Sequence, residues 1–213
     1  YAGYMDPLNF KRQWIINPFE FFSQGLGVED SPRPDCTTIN GRRIFYSNID
    51  GDGFGNLSLV DPNFLSAEII FDRILRAYPQ YPFTVSVITS EIDMDYFGSL
   101  RKRKTAQRIF NLDNVEAASH TFSHPIVWNT SLISGQALTE YTKAFSDKTP
   151  SNGALLAYSI PGYVYNPARE IVFSSKYIQD KLLPAGKECR VLQWSGNCLP
   201  DDNALRTYSE SGI

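Results

Sequence analysis

Short apolar, β-prone runs alternate with longer stretches of helical period through most of this 213-residue chain. Arg43 to Ile49, Phe83 to Thr89, Asn114 to Ala118, Leu155 to Ile160 and Arg190 to Trp194 have the length and residue types of buried strands. Between them, Phe64 to Tyr78 carries Leu65, Ile69, Ile70, Ile74 and Leu75 near helical period and ends before Pro79. Leu100 to Phe110 and Leu132 to Phe145 read as two more helices. Asn166-Pro167 supplies an N-cap and a first-turn proline for a helix running to about Leu183, and Ala204 to Ser209 starts another. This alternation predicts an α/β fold, a parallel sheet or barrel with helices outside. In such folds chemistry gathers at the carboxyl ends of strands, and both polar motifs of this chain fall there.

The length suffices for one sizeable domain with its own core. Residues 1–42, rich in aromatics and turn formers such as Asn17-Pro18, Ser31-Pro32 and Arg33-Pro34, read as an irregular lead-in, and 43–213 as the folded domain. An apolar fraction of 42% argues against disorder. A net charge of −3 gives no basic field, so nucleic acid is not an expected partner. The run Arg101-Lys102-Arg103-Lys104 is local and reads as a solvated helix face. No apolar stretch reaches the ~20 residues of a membrane span. The chain opens on Tyr1 without a signal peptide, as a mature or excised product would. Cys36, Cys189 and Cys198 contain no C-x-x-C pair; the odd count leaves at least one thiol free, and a Cys189–Cys198 bridge stays open.

Only two histidines occur, four apart in Ser119-His120-Thr121-Phe122-Ser123-His124. That spacing is one turn of helix, which would put both imidazoles on one side. Neutral imidazole is the commonest protein metal ligand; the bland alternative is a cap plus a packing histidine. The second motif, Asn48-Ile49-Asp50-Gly51-Asp52-Gly53-Phe54, follows the first strand and presents two carboxylates on a tight turn. A mononuclear zinc-type site wants three N or O ligands and an open position. Asp52, His120 and His124 supply that set, and Asp50 is then free to act as a general base on water. The residues alone do not fix which aspartate does which job. A calcium loop competes, because Asn48, Asp50, Asp52 and Gly53 match positions 1, 3, 5 and 6 of an EF-hand, with Asn56 at position 9. Against it, position 12 is Leu59 where a bidentate Glu is needed, and a strand rather than a helix precedes the loop. A purely structural Asp-Gly turn is the third reading.

Ile-Asp-Gly-Asp-Gly after one strand and Ser-His-Thr-Phe-Ser-His after another, about seventy residues on, resemble the motifs of the NodB-homology polysaccharide deacetylases, carbohydrate esterase family 4. The stretch from Pro34-Asp35 through Phe54 is most similar to the PelA-type exopolysaccharide deacetylases, and the similarity runs from about Pro34 to the C-terminus. The resemblance implies a distorted (β/α)7 barrel and hydrolysis of N-acetyl groups on an N-acetylhexosamine polymer. It implies Asp50 as the base and Asp52, His120 and His124 as ligands of one divalent ion, zinc first, with cobalt or nickel as alternatives. It further implies a periplasmic or extracellular place in biofilm matrix modification, with exopolysaccharide export machinery as a partner.

Two departures from the family pattern stand out. The strand at Val191 to Pro200 lacks the family's arginine, which leaves Trp194 and Asn197 as candidate pocket residues. No third histidine is present to protonate the leaving amine, and the barrel is expected to be incomplete at its C-terminus, as in a fragment of a longer protein. Glu91, Asp93 and Asp95 follow the second strand; Glu91 and Tyr158 are candidate substrate contacts, against readings as an acidic loop and rim packing. A catalytically impaired carbohydrate-binding relative and a calcium-stabilised structural domain are the competing functions.

Overall fold

The computed structural model describes residues 3–5, 12–14, 18–27, 46–144 and 150–213, and the chain divides into two compact units, Tyr1–Ile44 and Phe45–Ile213. In the first unit β1 (Gly3–Met5) pairs antiparallel with β2 (Arg12–Trp14), and α1 spans Pro18–Leu26. The lead-in is therefore not irregular throughout. Pro18 opens a helix at the first helical position, where its missing N–H costs nothing, while Asn17 lies outside the described residues. Ser31-Pro32, Arg33-Pro34, Cys36 and the start of the strand expected from Arg43 lie outside the described residues.

In the second unit β3 (Asn48–Ile49) leads to α2 (Ser66–Ile70), which continues as a π-helical turn over Phe71–Leu75. Then come β4 (Phe83–Val87), α3 (Thr89–Ile92), α4 (Leu100–Phe110) and β5 (Val115–Ser119). Next are β6 (Pro125–Val127), α5 (Gly135–Ala144), β7 (Pro150–Ser151) and β8 (Ala154–Leu156). A π-helical turn at Arg169–Phe173 runs into α6 (Ser174–Lys181), followed by β9 (Cys189–Leu192) and α7 (Asp202–Ser211). The expected α/β organisation holds: β3, β4, β5 and β9 form a parallel four-stranded sheet in that order. Val87 is level with Ser119, and Ser119 with Leu192, so the carboxyl ends of three strands reach one edge.

One face of this sheet makes the main core. Phe83, Val85 and Val87 alternate along β4, as do Val115 and Ala117 along β5. They pack with Phe71 and Leu75, with Ala106, Ile109 and Phe110 of α4, and with Ile178 of α6. The opposite face carries polar side chains, with Thr84 Oγ1 donating to Glu116 at 2.8 Å. Ser99 caps α4 by accepting from Lys102 N–H at 3.2 Å.

One expectation needs correction. The strand near Leu155 is not a further parallel strand: β8 sits between β6 and β7 in an antiparallel sheet. Asn152 and Gly153, with φ of 47° and 80°, make the two-residue turn that closes the β7–β8 hairpin. The basic run Arg101 to Lys104 is exposed or half-buried, as a solvated helix face; within it Arg101 pairs with Glu68 at 2.5 Å and Lys102 turns to Glu91 at 3.6 Å. Cys189 is buried, Cys198 is exposed and both thiols are free, so no bridge joins them. Among the described residues no helix is long and apolar enough to cross a membrane.

Phe110 is fully buried in the main core. Phe110→Ala is expected to lower unfolding free energy by about 3–5 kcal/mol, through lost transfer energy plus a cavity. Leu59→Ala, at a fully exposed position, should change it by no more than about 0.5 kcal/mol. Urea denaturation of the two variants checks the contrast.

Candidate metal centre

Both motifs leave the sheet at its carboxyl edge. Asp50 to Asp52 follows β3, and Gly51 lets that turn lie flat against the next strand. A Cβ there would meet Ile88 N at 2.9 Å and His120 Cβ at 3.1 Å. The turn closes through Phe54 N–H to Gly51 O at 3.2 Å, and Asp50 Oδ1 accepts from Asp52 N–H at 3.2 Å. Asp52 is thereby aimed at the histidines.

The histidine segment is not helical, contrary to the reading of its spacing. It is a buried loop in which Thr121 and His124 adopt left-handed backbone, with φ of 72° and 54°. Each such non-glycine residue costs on the order of 1–3 kcal/mol and persists only where its surroundings fix it. Here the fixing is nearly complete. His120 N–H bonds Val87 O, Thr121 N–H bonds Ser119 Oγ, and His124 N–H bonds Thr121 Oγ1. The carbonyls of Thr121, Phe122, Ser123 and His124 accept from Thr89, Ser90, Tyr158 and Ala157. Burial leaves no water to take these roles.

The two remaining amides are held by Glu170, a carboxylate with no exposure. Phe122 N–H and Ser123 N–H donate to its Oε2 at 2.9 and 2.8 Å; Ser123 Oγ and Tyr163 Oη donate to Oε1 at 2.5 and 2.6 Å. Burial pushes the Glu170 carboxyl above its ordinary range, and the donors of Ser123, Tyr163 and Phe122 pull it back. Hydrogen bonds to a charged group are worth about 1.5–3 kcal/mol each, so four can offset a burial penalty of several kcal/mol. Glu170 did not emerge from the sequence, although a signal exists. It falls four and eight residues before buried Ser174 and Ile178, an acid on the inward stripe of a helix.

The loops bring together Asp52, His120 and His124, whose candidate ligand atoms lie within 4.8 Å of one another. His120 Nδ1 is 2.9 Å from Gln193 O; a proton on Nδ1 donates to that carbonyl and leaves the Nε2 lone pair free. Burial, then neighbouring His124, lowers the His120 pKa and favours the neutral ring. His124 Nε2 approaches Asp52 Oδ1 to 2.9 Å, yet neither of its buried ring nitrogens makes a hydrogen bond. A buried imidazole whose Nδ1 has no partner and whose Nε2 faces only the Asp52 carboxylate fits a shared cation better than a closed polar network. The close approach of His124 also holds the Asp52 carboxyl below its usual range. The histidine side chains are 5% and 10% exposed and Asp52 is 57% exposed, so the cluster opens on the aspartate side. Two imidazoles and one carboxylate are a donor set for zinc, cobalt or nickel; calcium prefers oxygen alone.

The other sequence-nominated residues divide. Asp50 is exposed beside Asp52 on the same turn and is close enough to influence His120. Tyr158 stands near Glu91 and Asp52, and burial keeps its phenol protonated. Glu91 is buried and accepts Gly55 N–H at 3.1 Å, anchoring the aspartate loop. Burial raises its pKa, Lys102 opposes this, and its Oε2 has no partner. Trp194 packs between Trp128 and Tyr208, with ring centroids at 4.8 and 5.8 Å. Asn197 accepts Leu199 N–H at 3.2 Å, while its Nδ2 is buried without a partner.

Glu170→Gln places an amide N–H₂ group among donors and should loosen the loop. A 10–100-fold loss of zinc affinity is expected, by analogy with changes to groups that orient metal ligands, with far-UV circular dichroism unchanged. Competition against a chromophoric chelator measures it, and wild-type affinity would sink the assigned role. Metal-free protein should also lose stability as pH falls below about 6.5, the ordinary imidazole value. There the unfolded chain protonates His120 before the folded chain does, and the loss continues until the folded ring titrates. Thermal unfolding from pH 8 to 5, with His120→Asn flattening the slope, reads this out. Compared with known proteins, the chain matches no family model, no curated protein and no solved structure.

Proposed function

We propose that this chain is a metal-dependent deacetylase acting on N-acetylhexosamine units of an exopolysaccharide. The observation that carries the reading is the convergence of Asp52, His120 and His124 beside a second aspartate, Asp50, on a solvent-open turn. A divalent ion in that donor set, zinc first and cobalt or nickel next, supplies Lewis-acid polarisation and a lowered water pKa. Asp50 takes a proton from water as the water oxygen bonds to the acetyl carbon. The carbon–nitrogen bond then breaks, and the same carboxyl returns the proton to the amine, giving acetate and a free amino sugar. Tyr158, held protonated, is a hydrogen-bond donor at the rim for the acetyl oxygen. Both histidines serve as ligands, so the proton cycle runs through Asp50.

Under this reading the parallel sheet and its outer helices are part of a distorted (β/α)7 barrel of NodB-homology type. The place of action is the periplasm or cell exterior, in matrix modification next to exopolysaccharide export machinery. Elemental analysis and anomalous scattering should find one zinc-like ion per chain, lost on His120→Ala. Asp50→Asn should keep the ion and lower acetate release from N-acetylglucosamine oligomers by about 10²–10⁴. Metal retention without His120, or full turnover without Asp50, would overturn the reading.

A further inference from the structure

The Ile160–Phe173 segment and Tyr96 border a cleft of about 580 Å³, a volume suited to one or two sugar rings. Its lining includes the rings of Tyr96, Phe122, Tyr163 and Phe173, and its single charged lining residue is Arg169. Tyr96 and Phe173 are 39% and 54% exposed, and exposed rings rimmed by polar groups mark binding grooves. Phe122 lies between His120 and His124, and Tyr163 donates to Glu170, so the cleft shares a wall with the histidine loop.

Arg169 carries the chemical preference. Its guanidinium lies 4.4 Å from the Phe122 ring centroid and 5.9 Å from that of Phe173, and Nη2 donates to Tyr96 Oη at 3.1 Å. Among the described residues no carboxylate forms an ion pair with it. Stacking fixes the plane of the fork, and most of its five N–H donors stay unused. A preset fork without a counter-ion suits a planar carboxylate, and the neighbouring rings suit the C–H face of a pyranose.

We propose that this cleft is a saccharide subsite for a sugar unit bearing a carboxylate, with Arg169 pairing to the carboxylate and Tyr96 and Phe173 packing on the ring. The inference rests on the deacetylase reading for its polymeric ligand, and narrows that ligand to an acidic heteropolymer containing N-acetylhexosamine. A polymer without acidic groups would leave Arg169 unmatched.

The probes are a hyaluronan tetrasaccharide, which alternates glucuronate with N-acetylglucosamine, and chitotetraose, which lacks the carboxylates. Calorimetry on the 213-residue chain in EDTA removes any metal and isolates the cleft. Hyaluronan tetrasaccharide should bind about ten-fold tighter or more, the worth of one charge-assisted contact. Arg169→Gln should erase that preference while chitotetraose affinity stays, and His120→Ala should leave the preference intact. In wild-type protein the Arg169 Nε–H resonance should shift on titration with hyaluronan tetrasaccharide, a readout independent of any variant's folding. Equal affinity for the two probes, a preference that survives Arg169→Gln, or an unmoved Arg169 resonance overturns the subsite. Failure of the deacetylase reading shows separately, as absent acetate release from metal-loaded protein.

Discussion

The candidate centre depends on one buried carboxylate. Glu170 accepts the two amides of the histidine loop that no strand, turn or hydroxyl satisfies. Without an acceptor there, two buried N–H groups would be orphaned next to two left-handed residues. The loop would then have reason to relax into a more ordinary backbone, and the imidazoles would separate. Tyr163 closes the arrangement from the far side, so the loop is gripped by groups from beyond β8. Glu91 does the same for the aspartate loop, with a single amide from Gly55. Each loop of the candidate centre is thus tethered by an acid outside the Asp52, His120 and His124 cluster.

This division of labour explains the electrostatics. A carboxylate ligand is useful only if ionised, and an imidazole ligand only if neutral. Asp52 is biased toward the anion by nearby His124, which outweighs its partial burial, while His120 is biased toward the neutral ring by burial. The tethering acids are buried and pushed the other way, toward higher pKa.

Much of the frame was legible because it follows period. Leu100 to Phe110 forms a helix over those residues, and β4 and β5 lie within one or two residues of their apolar runs. The cluster was legible because the chain has only two histidines and imidazole chemistry is specific. The conformation of the histidine segment was not. A four-residue spacing suits a helix, yet hydroxyls at Ser119 and Thr121 and a remote carboxylate offer the backbone better partners than a helical ladder. The antiparallel hairpin was readable but unread, since Asn152-Gly153 is the strongest short-range signal for a two-residue turn. Glu170 and Arg169 needed the tertiary fold, because their partners stand 47 or 48 and 73 residues away in the chain.

Phe122 ties the cleft to the centre. Its ring lies under Arg169, and its amide is held by Glu170. A sugar unit seated on Tyr96 and Phe173 would therefore press against the same short segment that sets the positions of His120 and His124. Reaction rates fall steeply with misplacement, by as much as about a hundred-fold for one ångström. Under the proposed deacetylase reading, a rigid shared segment would let binding energy from a non-reacting unit fix where the acetyl group of the next unit stands. The backbone hydrogen bonds of residues 120–124 make that segment stiff, whereas a frayed loop would absorb the strain locally. Under the proposed activity, the strained backbone and the buried acid would serve the reacting geometry as well as the donor set.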